Sequence, residues 1–258
     1  MGGHLLIFGA TGGILYFGIY WGVPKLLERG VPMIYAFFGL LWAPIFPLLP
    51  LSLILFVSLE GVALSLETVQ HRFRFEPVIG TEWIWVGVVI LLTVLSEQIL
   101  EGLGRRLARY PLLAPPSYLP APFNPLRRME LPPRQFLGVR LRGNWRLLLA
   151  FVPLHFLAMF AEEMMWRGYM LPLQEAMFGP WAWVINGLLW AWLVHAILKW
   201  HFIGMLPGML ATPWVAQMTG STWASLIAHV VPNALLWLLL LLGVLGMGAD
   251  REVGNSEA

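Results

Sequence analysis

The chain has 258 residues, 59% of them hydrophobic and 12% charged, with a formal net charge of +2 and a mean hydropathy of +0.73. An ordinary soluble domain carries about 25% charged residues, so these proportions exclude a soluble enzyme and a disordered chain. So small a net charge, carried mostly in loops, also excludes a nucleic-acid binder and suits a membrane protein.

A spanning helix needs about 20 mostly apolar residues. The run from Leu5 to Val23 qualifies and reads as a first span rather than a cleavable signal, because no basic segment precedes it. Val31 to Leu59 contains no formal charge but holds Pro44, Pro47 and Pro50. That pattern gives a kinked span or a re-entrant pair, and a single kinked span is preferred. Trp83 to about Leu103 is a third span, with Glu97, Glu101 and Arg105 at i, i+4 spacing near its end. Gly104 to Arg146 is the one long polar stretch, with nine arginines and several prolines. It reads as a loop with one short surface helix.

Beyond it, Leu147 to Leu173 is apolar except for His155, Glu162, Glu163 and Arg167. Gly179-Pro180 breaks the chain, and Trp181 to Leu198 is the next span. Trp200 to Ala249 has no formal charge and divides at Gly220-Ser221 into a shorter and a longer span. The expectation is an all-α polytopic membrane bundle of about seven helices around an internal polar cavity. Its organisation divides into an N-terminal membrane part with the basic loop (1–146), a second membrane part (147–249) and a polar tail (250–258). With each run spanning once, Lys25, Arg29, the loop arginines and Lys199 fall on one side, and Arg72 and Arg74 on the other. The positive-inside rule then places the long basic loop and the C-terminus in the cytoplasm. Fourteen arginines against two lysines suit a multi-pass protein of a bacterial cell membrane.

Ionisable groups at mid-membrane cost about 2.5–3.5 kcal/mol each on insertion scales. Phe160-Ala-Glu-Glu-Met-Met-Trp-Arg-Gly168 groups three of them, starting roughly 22 Å into the helix at 1.5 Å per residue. Glu163 and Arg167 are i, i+4 with the carboxylate first, the favourable order for an ion pair that fixes helix packing. Glu162 lies about 100° away around the helix, among Ala158, Met159, Met165 and Trp166, with no polar partner expected on its own helix. It is either a protonated carboxyl bonded to a neighbouring helix or a carboxylate in a wet cavity, available as a base. His195 stands between Trp190, Trp192 and Ala196, and His229 and Asn233 share a helix face with Pro232 between them. Each of these alone reads as well as a packing group. Three helices bringing a carboxylate, a histidine and a His/Asn pair can meet in one pocket. His155 lies two turns before Glu162, on the same face, and is expected at the mouth. His4, His71 and His201 lie at a terminus, in a loop and at an interface.

The set Glu162-Glu163-x-x-x-Arg167, His195 and His229-x-x-x-Asn233 resembles the three motifs of the CAAX prenyl protease type II family, also called Abi or CPBP. The likeness runs from about Phe151 to Leu240 and includes Gly220-Ser-Thr-Trp-Ala-Ser-Leu-Ile-Ala-His229. One departure is Ala191, where the family often has Phe four residues before the second-motif histidine; Trp190 and Trp192 can supply aromatic bulk. The resemblance implies an intramembrane glutamate-dependent endopeptidase. Glu162 and His195 would activate water, and His229 with Asn233 would hold the oxyanion.

The residues are compatible with that chemistry. There is no cysteine, and the single aspartate is Asp250 in the tail; there is no serine-nucleophile motif and no His-Glu-x-x-His. Water is then the expected nucleophile, Glu162 a suitable base and the Asn233 amide a suitable donor. A zinc set of Glu162, His195 and His229 is the rival, disfavoured because it leaves Asn233 without a part. No cofactor is otherwise implied. A non-catalytic scaffold or immunity protein of the same fold stays open, as does an ion-coupled carrier, although no inverted repeat is visible. The expected partners are the bilayer and a membrane-associated peptide or protein, lipidated or not.

Overall fold

The structure is a computed structural model that describes residues 2–247; the tail read from Asp250 onward lies outside them. The first rod is α1 (Gly2–Phe17), a π-helical turn (Gly18–Gly22) and α2 (Val23–Glu28). Pro24 has no N–H to return five residues to Ile19, and the Tyr118 hydroxyl, from the basic loop, donates to the Ile19 carbonyl instead. Burial pushes the Tyr118 hydroxyl up to about 12, which keeps it a neutral donor.

The proline-rich run forms α3 (Met33–Trp42) and α4 (Leu48–Glu60). Helix α3 packs on residues 18–28, whereas α4 packs on α7 and residues 164–170, the arrangement of a bent rod rather than of a side-by-side hairpin. Then follow α5 (Leu66–Arg72) and the long α6 (Glu82–Leu107). The basic stretch was expected to hold a short helix and has only a 3₁₀ turn, Ala121–Phe123. It also forms a hairpin, β1 (Gln135–Phe136) with β2 (Val139–Arg140), paired Gln135 to Arg140 and Phe136 to Val139. Its two turn residues, Leu137 and Gly138, have φ of 49° and 81°, the signs of a two-residue hairpin turn. A leucine at the first position gives no turn signal in the sequence; burial of its side chain (4% exposed) offsets the left-handed backbone.

The second half opens with α7 (Trp145–Glu163), a π-helical stretch (Met164–Met170) and α8 (Leu171–Phe178). The chain turns at Gly179, whose φ of 55° suits glycine. It returns as α9 (Ala182–Leu189) and a further π turn, Trp190–Val194. Gln217 on α10 (Leu206–Thr219) fixes this reversal by accepting from the Trp183 N–H at 2.9 Å. Last is α11 (Thr222–Val244). Its N-terminus docks on the segment after α5: Ser221 Oγ donates to Glu76 O and Thr222 Oγ1 to Phe73 O, both at 2.6 Å.

The protein is an all-α, multi-pass membrane bundle, with the small hairpin outside its helices. Seven helical rods are present among the described residues when the short α5 is left aside, 33–60 counts as one rod and 145–194 as two. Among the described residues four stretches are long and apolar enough to cross a bilayer by themselves: Gly2–Glu28, Glu82–Leu107, Trp145–Val194 and Thr222–Val244. The α9 and α10 rods are shorter than the expected spans because His195 ends the first and a non-helical segment with one 3₁₀ turn separates the two.

Helices in lipid associate through close backbone approach at small residues. Gly12 on α1 faces the Leu193 carbonyl, whose oxygen would lie 1.9 Å from a Cβ placed there; at Gly187 a Cβ would lie 2.6 Å from Met209 O. Phe8, two turns before Leu15 on the same buried face, stacks on Trp166 with ring centroids 4.0 Å apart. The first rod thus braces the two later π-helical stretches, one carrying Arg167 and the other leading into His195.

Candidate active site

Glu162, Glu163 and Arg167 are buried, Glu163 completely. The expected Glu163–Arg167 pair is present, Nη1 to Oε1 at 3.1 Å, with both side chains sealed from solvent. Arg167 lies where the helix widens into the π form. Its guanidinium carbon is 3.7 Å from the centroid of the Trp190 ring, so an aromatic face supports the charge where water cannot.

Glu162 departs from expectation. Its Oε1 accepts from Trp166 Nε1 at 3.4 Å, on its own helix, and from Trp190 Nε1 at 3.1 Å. Trp166 was counted as apolar bulk, but an indole carries one N–H donor, and i, i+4 spacing brings it to the carboxylate. Among the described residues no group bonds Oε2, which is not among the sealed, unpartnered atoms. One oxygen is therefore held and the other is open.

His195 closes the π turn with φ −92° and ψ 20° and so leaves the helix rather than sitting inside a span. Its Nδ1 is 3.2 Å from the Trp190 carbonyl. A carbonyl only accepts, so Nδ1 carries a proton, and in the neutral ring Nε2 is the acceptor. Trp190 meets His195 and His229 edge-on, with centroids 5.3 and 5.1 Å away. Trp190 thus touches the carboxylate, the guanidinium and both imidazoles. It supplies the aromatic bulk beside Ala191, whereas Trp192 is exposed and donates to Phe202 O.

His229 Nδ1 lies 2.9 Å from Glu163 Oε1, a contact between α7 and α11 that spacing along one helix cannot reveal. Asn233 Nδ2 donates to the His229 carbonyl at 2.9 Å, one turn back, leaving its second N–H. Glu162, His195 and His229 therefore gather around Trp190 and the Glu163–Arg167 pair, and Asn233 joins them through the His229 backbone. Asn186 and Gln174 were not foreseen. Asn186 Nδ2 donates to Trp166 O at 2.9 Å and to Gln174 Oε1 at 2.8 Å, tying the π-helical stretch to α8 and α9. An asparagine inside an apolar run was the available signal.

His155 faces other partners. His155 Nδ1 accepts from Trp237 Nε1 at 2.9 Å, and its ring packs on Phe151 and Trp42, with centroids 5.1 and 6.4 Å away. Both aromatics also line a cavity of about 600 Å³ between α3 and the start of α7, with Phe38, Phe46 and Leu154, and with Asn144 and Arg146 as its polar edge. His155 is thus a packing residue behind an apolar cavity.

Zinc does not fit this arrangement. Among the described residues no three His, Asp or Glu side chains come together as a cation set.

Fold and site together define a polytopic helical membrane protein with a buried site of carboxylates, histidines and an arginine. Within it, residues 144–235 match the family described as Type II CAAX prenyl endopeptidase Rce1-like, so this stretch is similar to that family. The family likeness drawn from the three motifs is borne out there. No curated protein and no solved structure matches the chain.

Proposed function

We propose that the protein is an intramembrane endopeptidase that hydrolyses a peptide bond with a water activated by Glu162 and His195. The observation that carries this reading is the split role of Glu162: Oε1 is fixed by Trp166 and Trp190, and Oε2 is unengaged. A base held at one oxygen and open at the other is oriented before substrate arrives. His195 Nε2, with Nδ1 turned to the backbone, is a second acceptor for the same water.

In the proposed step, Glu162 Oε2 takes a proton as the water oxygen attacks the scissile carbonyl carbon. The carbonyl oxygen becomes an oxyanion facing Asn233 and His229. Collapse breaks the C–N bond, and Glu162 returns its proton to the leaving amine. Nδ1 of His229 faces a carboxylate, so a donor role at Nε2 needs the doubly protonated ring. With it, Glu162, Glu163, Arg167 and His229 sum to zero charge. Glu163 and Arg167 are positioning residues.

The substrate class is a membrane-associated peptide or protein. The apolar cavity lined by Phe38, Trp42 and Phe151 suits the apolar part of such a substrate, a lipid chain included. In this reading the long basic loop faces the cytoplasm of a bacterial cell. The test is reconstituted protein with a prenylated peptide ending in a CAAX sequence, product termini being read by mass spectrometry. Wild type should cleave. Glu162→Gln keeps an acceptor for both indoles and should lose about 10²–10⁴-fold in kcat with unchanged expression and thermal stability. Full cleavage by that variant would instead favour a residue outside this site as the base.

A further inference from the structure

A second polar site lies where α7 begins and α11 ends. The Gly143 N–H donates to Val244 O at 2.9 Å, so two candidate spans leave the apolar layer side by side. The exposed Trp145 next to this point is of the type enriched at membrane–water interfaces. A cavity of about 460 Å³ opens here, lined by Arg134, Arg140 and Arg142, with Gln135, Gly243 and Gly246 among its other walls and no acidic residue among the described ones.

Hairpin register gathers the cations: Arg140 pairs with Gln135, and both line the cavity. Glycine lets the backbones close. A Cβ at Gly243 would lie 2.5 Å from Pro133 O, and Gly246 has φ 77° with Arg142 against it. Arg134 has Glu130 at the outer edge, 4.0 Å away. Among the described residues the guanidinium groups of Arg140 and Arg142 meet no carboxylate and make no hydrogen bond. Like charges brought together repel, and the guanidinium forks of Arg140 and Arg142 match the oxygens of a phosphate.

We propose that this basic cavity binds the phosphate of an anionic phospholipid headgroup. A free phosphate offers the same oxygens, but the cavity lies at the level where two spans emerge, which is where headgroups are concentrated.

The test is binding of phosphatidylglycerol, phosphatidylcholine or inorganic phosphate to the full chain in detergent, read by native mass spectrometry. Phosphatidylglycerol should bind at least tenfold more tightly than the other two. Arg140→Gln with Arg142→Gln should weaken it roughly 30-fold. Arg106→Gln with Arg109→Gln, the same change of charge elsewhere in the basic stretch, should weaken it less than threefold. Equal losses in the two double variants would overturn the site, and inorganic phosphate binding as tightly as the lipid would overturn the lipid assignment. A chain ended at Met247 should bind phosphatidylglycerol unchanged; tenfold tighter binding would make the chain's own acidic tail the occupant and overturn the proposal.

Discussion

Trp190 joins the charges of the site. Its N–H holds Glu162, its face carries Arg167, and its edges meet His195 and His229. A hydrogen bond to a charged group contributes about 1.5–3 kcal/mol, which is roughly 10- to 100-fold in rate if it serves only to aim the base. Trp190→Phe keeps a ring under the guanidinium and removes the donor. In steady-state kinetics kcat should fall by that factor with KM little changed, and Trp166→Phe, which loses the longer 3.4 Å bond, should fall less. The same loss in both, or a change confined to KM, would separate these indoles from the orientation of Glu162. The Glu163–Arg167 pair was legible in the sequence because both partners share one helix. The His229–Glu163 and Trp190–Glu162 bonds were not, since they depend on which helices meet.

At the scale of elements, the site depends on helices that depart from α geometry. Glu163 is followed at once by the Met164–Met170 π stretch, and the Trp190–Val194 π turn ends at His195. Hydrophobic runs announced these rods, but hydropathy does not report a change from α to π spacing, so His195 was expected inside a span. The first rod supports the second π turn at Gly12, where any Cβ would meet Leu193 O. Gly12→Val should therefore push the turn outward and displace Trp190 and His195 together. Thermal unfolding in detergent should start several degrees lower, and cleavage should drop at temperatures where the protein is still folded. Wild-type activity and stability in that variant would show that α1 only borders the site.

The whole molecule is a solution to burying several ionisable groups in an oily chain. Removing one partner from a buried pair costs about 3–5 kcal/mol, so the site needs all its helices present. Arg72, the last residue of α5, clamps Glu60 at the end of α4 and donates to Gly168 O on the π stretch; Arg74, just after α5, pairs with Glu175 on α8. These cross-chain ties were invisible in sequence, where Arg72 and Arg74 read only as loop charges that orient the protein. The fold class was legible because apolar content and run length express the bilayer directly; helix neighbours express packing, which one sequence does not spell out. The functional claim is that α7 and the turn after α9 present Glu162 and His195 to a single water. A double-mutant cycle on purified protein tests it, using Glu162→Gln and His195→Asn, the latter retaining a donor toward Trp190 O while removing Nε2. Groups that act as a unit are strongly non-additive. The account predicts that the double variant is no slower than the slower single one, whereas losses that multiply would contradict it.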